Sequence, residues 1–189
     1  MKFSTLALIA TSVDAIRLSD DATGGFQTGF PFQLRSTLPG NRVMYIDSVP
    51  INSMENPVVY HPSQHLIKTR TATGSTEEWW RYDAKTSSIR SMSDSSLVLA
   101  FEDGLAAGKS AIARTWTGNE DQKLVFVKDE NTSIQSVSKD LCLDIKGAKN
   151  ADGTQVVAWT CGNTATNQQW YPQYSYQVQS QPWARLENQ

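Results

Sequence analysis

The chain has 189 residues, 39% hydrophobic and 10% aromatic, which is long enough to bury a core and too rich in Trp, Tyr and Phe for a disordered polymer. Seventeen Lys and Arg against nineteen Asp and Glu leave a formal charge of −2, which removes the basic footprint of a nucleic-acid binder. The length allows one domain or two small ones, and leaves no room for a catalytic domain beside a full accessory module.

The first segment reads as an address. Lys2 precedes the apolar stretch Phe3 to Val13, and Val13 and Ala15 occupy the −3 and −1 positions of a cleavage after Ala15. That is the signal-peptide pattern, so residues 1–15 are expected to direct secretion and residues 16–25 to form an N-terminal segment. The alternative is a buried N-terminal strand or helix. The stretch is too short to span a bilayer, and no later segment reaches the roughly 20 apolar residues required.

Residues 26–175 repeat. Three short signatures, Gln33-Leu34-Arg35-Ser36, Ser88-Ile89-Arg90-Ser91 and Ser133-Ile134-Gln135-Ser136, each precede an alternating apolar run. Those runs are Met44-Tyr45-Ile46, Leu97 to Phe101 and Leu141 to Ile145. Each unit closes with an acidic or amide residue two positions before a large apolar one: Glu78 and Trp80, Gln122 and Leu124, Gln168 and Trp170. The apolar closers are 44 and 46 residues apart. One large apolar residue per repeat is what a threefold core requires, so Trp80, Leu124 and Trp170 are expected inside.

Within each unit the period is two, and Gly, Asn, Asp and Pro interrupt roughly every 8–12 residues. This predicts short strands in an all-β closed or sandwich architecture. Leu105-Ala106-Ala107, between Gly104 and Gly108, is the one candidate for a helical turn. The Pro-, Ser- and Asn-rich insertion Ser48 to His65 reads as a surface loop. Asn131-Thr132-Ser133 is a candidate N-glycosylation sequon. The two cysteines, Cys142 and Cys161, point to a disulfide in an exported chain; separate buried thiols are the alternative. Residues 176–189 form a polar, Gln-rich tail that fits neither a lipid anchor nor a retention signal.

The third repeat carries one ordered series: Cys142-Leu143-Asp144-Ile145, Asp152-Gly153-Thr154, Val156, Trp159, Cys161 and Asn167-Gln168-Gln169-Trp170. This resembles the ricin B-chain type lectins, a β-trefoil family with three repeats that each end in Gln-x-Trp. It is similar also to the xylan- and galactose-binding modules of that family. The resemblance implies a β-trefoil of three repeats of about 45 residues, with a sugar pocket on the third. Asp144 matches the family's ligand carboxylate, Trp159 its stacking aromatic, Asn167 its amide contact, and Gln168 the residue that steadies the acid.

The chemistry suits these residues. A carboxylate can accept from two vicinal hydroxyls, an amide serves a further hydroxyl, and a flat indole covers the apolar C–H face of a sugar. The structural alternatives are that Asp144 is a turn residue, Trp159 a core aromatic and Gln168 a partner for backbone groups. One position departs from the family: Val157 stands where a glutamine is common, so a side-chain hydrogen bond worth about 1 kcal/mol is missing or a backbone group replaces it. The other repeats look degenerate. In the first, Asp47 is the candidate carboxylate, Thr69 falls near the stacking position, and Glu77-Glu78 replaces the Asn-Gln pair. Three carboxylates converging there would repel one another. In the second, Val98 or Ala100 stands where the acid is needed.

Other chemistry is thin. Pro62 between His61 and His65 spoils a helical metal face, no further histidine exists to activate a nucleophile, and Glu77-Glu78 makes a poor acid/base pair. The expected protein is therefore a secreted, non-enzymatic lectin for galactose-type or related glycans. It needs no metal or cofactor. Its expected partners are glycans or glycoproteins, without nucleic acid or membrane insertion. The alternative is a β-trefoil interaction protein, a protease inhibitor or host-targeting effector, acting through the Ser48 to His65 loop without sugar binding.

Overall fold

The computed structural model describes residues 29–47, 65–127, 132–162 and 164–175. The proposed signal peptide, residues 48–64 of the insertion, Asn131 and residues 176–189 lie outside them. Among the described residues, twelve antiparallel strands fall into three groups of four. The first repeat holds β1 (Phe32–Ser36), β2 (Val43–Asp47), β3 (His65–Arg70) and β4 (Trp80–Asp83). The second holds β5 (Ser88–Ser91), β6 (Leu97–Phe101), β7 (Ala111–Thr115) and β8 (Leu124–Val127). The third holds β9 (Thr132–Ser136), β10 (Leu141–Ile145), β11 (Thr154–Thr160) and β12 (Gln169–Tyr174).

The outer strands of each group close a barrel. β1 pairs with β12 and β4, β4 with β5, β8 with β9, and β9 with β12. The join between β5 and β8 is made by Leu124 N–H donating to Ser87 O at 2.7 Å. The inner strands form three hairpins, β2–β3, β6–β7 and β10–β11. These meet one another through β3–β11, β3–β7 and a bridge between Ser110 and Val157. Six barrel strands capped by a triangle of hairpins make a β-trefoil, and barrel closure removes the exposed edges an open sheet would present.

The sequence dictates this locally. Each signature ends in a serine whose Oγ accepts the N–H two residues on: Leu38 to Ser36 at 3.0 Å, Ser93 to Ser91 at 3.1 Å, Ser138 to Ser136 at 3.3 Å. This serine turn sends the chain from barrel to hairpin. Trp80, Leu124 and Trp170 are wholly buried and occupy equivalent core positions. Trp80 Nε1 donates to Met44 O at 3.3 Å and Trp170 Nε1 to Leu143 O at 3.1 Å, so both indoles are packed and satisfied. No helical turn forms at Leu105-Ala106-Ala107. Short 3-10 turns instead precede the closing strands, at Thr76–Glu78, Glu120–Gln122 and Thr166–Gln168, with a fourth at Lys146–Ala148. No helix among the described residues is long and apolar enough to cross a membrane.

Candidate functional site

The closing amide or acid of each repeat braces the loop before it. Gln168 Oε1 accepts from Gly162 N–H at 2.8 Å, Gln122 Oε1 from Gly118 N–H at 3.1 Å, and Glu78 Oε2 from Gly74 N–H at 2.9 Å. Gln122 Nε2 also donates, to Thr115 O at 2.8 Å, and what distinguishes the third repeat is a second donation, to an acid. Gln168 Nε2 donates to Thr160 O at 3.0 Å and to Asp144 Oδ2 at 2.8 Å. Asp144 lies on β10, directly opposite Val157 on β11, and is 5% exposed. Burial pushes its carboxyl up from the usual aspartate value, and hydrogen bonds from Gln168 and Asn167 pull partly against that.

Trp159 lies two residues beyond Val157 on β11 and is 52% exposed, which removes it from the core. Its ring is backed by a loop of the second repeat. Gly108 N–H donates to Ala158 O at 2.7 Å, and Ala158 N–H donates to Lys109 O at 2.8 Å. A methyl group on Gly108 would sit 3.7 Å from the indole edge, and its φ of +85° favours glycine. Asn167, in the 3-10 turn before β12, donates through Nδ2 to Ile145 O at 3.4 Å. The disulfide Cys142–Cys161 ties the start of β10 to the end of β11, with Cα atoms 5.0 Å apart. Together Gly108, Asp144, Lys146, Trp159, Asn167 and Gln168 line an open hollow of about 580 Å³, within the usual size range of small-molecule sites. Val157 also lines it, so an apolar side chain occupies the place where family members commonly present an amide.

Strand register corrects the reading of the first repeat. Asp144 faces Val157 across β10–β11, as Tyr45 faces Lys68 and Ala100 faces Ile112 in the other hairpins. The first-repeat counterpart of Asp144 is therefore Tyr45, not Asp47, whose carboxylate pairs with Lys68 Nζ at 2.6 Å. By the same register Trp159 corresponds to Arg70, not Thr69, and to Arg114 in the second repeat. Thr69 is fully buried opposite Met44.

The predicted carboxylate cluster does not form. Glu78 is buried and accepts from Gln33 Nε2 at 3.0 Å and Arg70 Nε at 2.9 Å, and Glu77 and Glu78 share a 3-10 turn, not a strand. The Arg70 guanidinium lies 4.1 Å from the Tyr45 ring centroid, so the first repeat pairs a cation with an aromatic ring where the third has Trp159 and Asp144. In the second repeat Ala100 takes the acid's position, and Arg114 pairs with Asp121. His65 opens β3, while His61 lies outside the described residues. No cluster of three or more His, Cys, Asp or Glu suited to a metal occurs among the described residues.

Sequence reasoning missed Lys146 and Gly108. Lys146 opens the 3-10 turn that follows β10, just past the reach of strand parity. Gly108 comes from another repeat, and nothing local announces it.

The family model of the ricin-type β-trefoil lectin domain matches residues 58–170, and the chain belongs to that family. Among solved structures it is similar to the designed threefold-symmetric protein ThreeFoil, with 17% identity, a TM-score of 0.60, and coverage of 75% of this chain and 96% of that one. It is similar to the ricin B-like lectin of Macrolepiota procera solved with lactose, with 18% identity, a TM-score of 0.59, and coverage of 78% and 96%. It is similar also to the C-terminal half of the earthworm R-type lectin solved with GalNAc, with 19% identity, a TM-score of 0.54, and coverage of 77% and 99%. Identities this low carry the fold alone. No curated protein sequence matches the chain.

Proposed function

We propose that this protein is a secreted lectin that seats one galactose-type sugar ring in the hollow of its third repeat, reversibly and without catalysis. The observation that carries this reading is a buried carboxylate and a half-exposed indole lining the same hollow. In it, Asp144 accepts from two vicinal hydroxyls, Trp159 covers the C–H face, and Asn167 serves a third hydroxyl. Gln168 contacts no sugar; its amide fixes the acid through the 2.8 Å bond to Oδ2. Selectivity follows from the cost of leaving buried polar groups unpaired when the wrong hydroxyl is presented. The other two repeats have filled or paired their equivalent positions, so one site per chain is proposed. A single open site binds weakly, and avidity then comes from clustered glycans. Relatives solved with lactose or GalNAc and the Cys142–Cys161 bridge agree with a sugar-binding, exported protein.

The test is a glycan array probed with wild type and Asp144→Ala. Binding to galactose-terminated glycans that the substitution abolishes supports the reading. No binding by wild type, or binding unchanged by Asp144→Ala, overturns it.

A further inference from the structure

A second hollow of about 540 Å³ adjoins the first. Lys146 and Gly147 line both, and Lys149, Asp152, Gly153 and Gln155 complete the second. The chain turns sharply here, with φ of +65° at Gly147 and +51° at Ala148. That turn folds Lys149 back. A methyl group on Gly147 would stand 3.9 Å from Lys149 Cγ and 4.0 Å from Cε, so the lysine stem lies across the joint between the hollows. Both lysines are exposed, and among the described residues neither forms an ion pair.

The nearby acids are committed elsewhere. Asp152 Oδ1 accepts from Thr71 N–H at 2.7 Å and pairs with Arg42, while Asp144 is held by Gln168. Two lysines without an ion-pair partner among the described residues therefore stand beside the seam between the proposed sugar seat and an adjoining space. The chain as a whole is slightly acidic, so this is a local feature.

Resting on the sugar-seat reading above, we propose that the ligand is an acidic saccharide. Its ring occupies the Asp144–Trp159 hollow, and a carboxylate or sulfate group, on that ring or on the next one, lies between Lys146 and Lys149. A neutral glycan leaves both ammonium groups facing empty solvent. An anionic one pairs with each at a partly exposed site, which together is worth about fivefold in affinity at low ionic strength and less at high salt.

The test is calorimetric titration with lactose, 3′-sulfated lactose and a galacturonic acid disaccharide, at low and high ionic strength. Wild type is expected to favour at least one acidic ligand over lactose by about fivefold, with the ratio falling as salt rises. Preference for the sulfated arm identifies a sulfated sugar, and preference for the other a uronic acid. Lys146→Gln/Lys149→Gln should bring the ratio to about one. Equal affinity for all three ligands, or a preference that survives the double substitution, overturns the acidic-ligand proposal while leaving the sugar seat intact. Acidic-ligand binding that Asp144→Ala leaves unchanged overturns it too, because the lysines would then act without a seated ring. Binding of none of the three refutes both readings.

Discussion

Gln168→Glu exchanges one heavy atom, the amide nitrogen for an oxygen, and tests the brace directly. The Oε1 bond to Gly162 N–H survives, but Nε2 no longer donates to Asp144 or to Thr160 O. The new carboxyl would stand about 3 Å from the buried Asp144 carboxylate, where two like charges repel by at least about 4 kcal/mol at an effective dielectric of 20. The folded state escapes by keeping one proton on the pair. At pH 7, holding that proton on a group with an ordinary pKa near 4.3 costs about 3.7 kcal/mol, and the lost Thr160 bond adds about 1. The proton then donates from one carboxyl to the other and restores the third bond. The introduced group's pKa is raised in the folded state, so stability is lost as pH rises. Between pH 5 and pH 7 the loss relative to wild type should be about 2.7 kcal/mol. Urea unfolding of both proteins at the two pH values measures it. A difference of under about 1 kcal/mol between the two pH values would refute the claim that the amide donates to a buried, ionised acid.

Trp159→Ala should leave stability within about 0.5 kcal/mol, since the ring is half exposed, yet weaken glycan binding by about tenfold; thermal melts and titration check the two arms. Reducing Cys142–Cys161, which closes a 19-residue separation, should cost about 3 kcal/mol, read as a lower urea midpoint with reductant and no change in a Cys142→Ala/Cys161→Ala variant. Because burial raises the Asp144 carboxyl above 3.8 and the sugar needs the carboxylate, affinity should be full at neutral pH and half lost at a pH above 3.8. Affinity that holds to below that value would contradict the role of this acid. The same raised value makes the empty fold gain stability on acidification from this residue, so binding and stability should move in opposite directions with pH.

The repeat was legible because its markers are chemically constrained. The serine that turns the chain, the amide that braces a loop and the large apolar closer cannot be exchanged freely, so they persist at readable spacing. The third-repeat residues were legible for the same reason. The first and second repeats were not. An alternating run fixes which residues share a face but not which one faces the hollow, and Asp47 shares its parity with Tyr45. Only the pairing of Tyr45 with Lys68 settles the choice. Thr69 and Arg70 differ by a single residue, and that residue decides between a buried threonine and a guanidinium stacked on an aromatic ring. The loop carrying Gly108 reaches Trp159 across a repeat boundary, a tertiary fact with no local trace.

The brace holds the loop whether or not an acid stands beside it: Gln122 works opposite Ala100, and Glu78 opposite Tyr45 and Arg70. Architecture and recognition thus share one side chain: its acceptor and one of its donations serve the scaffold, and a second donation serves the acid. A lobe can drift out of carbohydrate chemistry without the barrel registering the change, which leaves each third of the molecule free to acquire or abandon a ligand on its own evolutionary schedule.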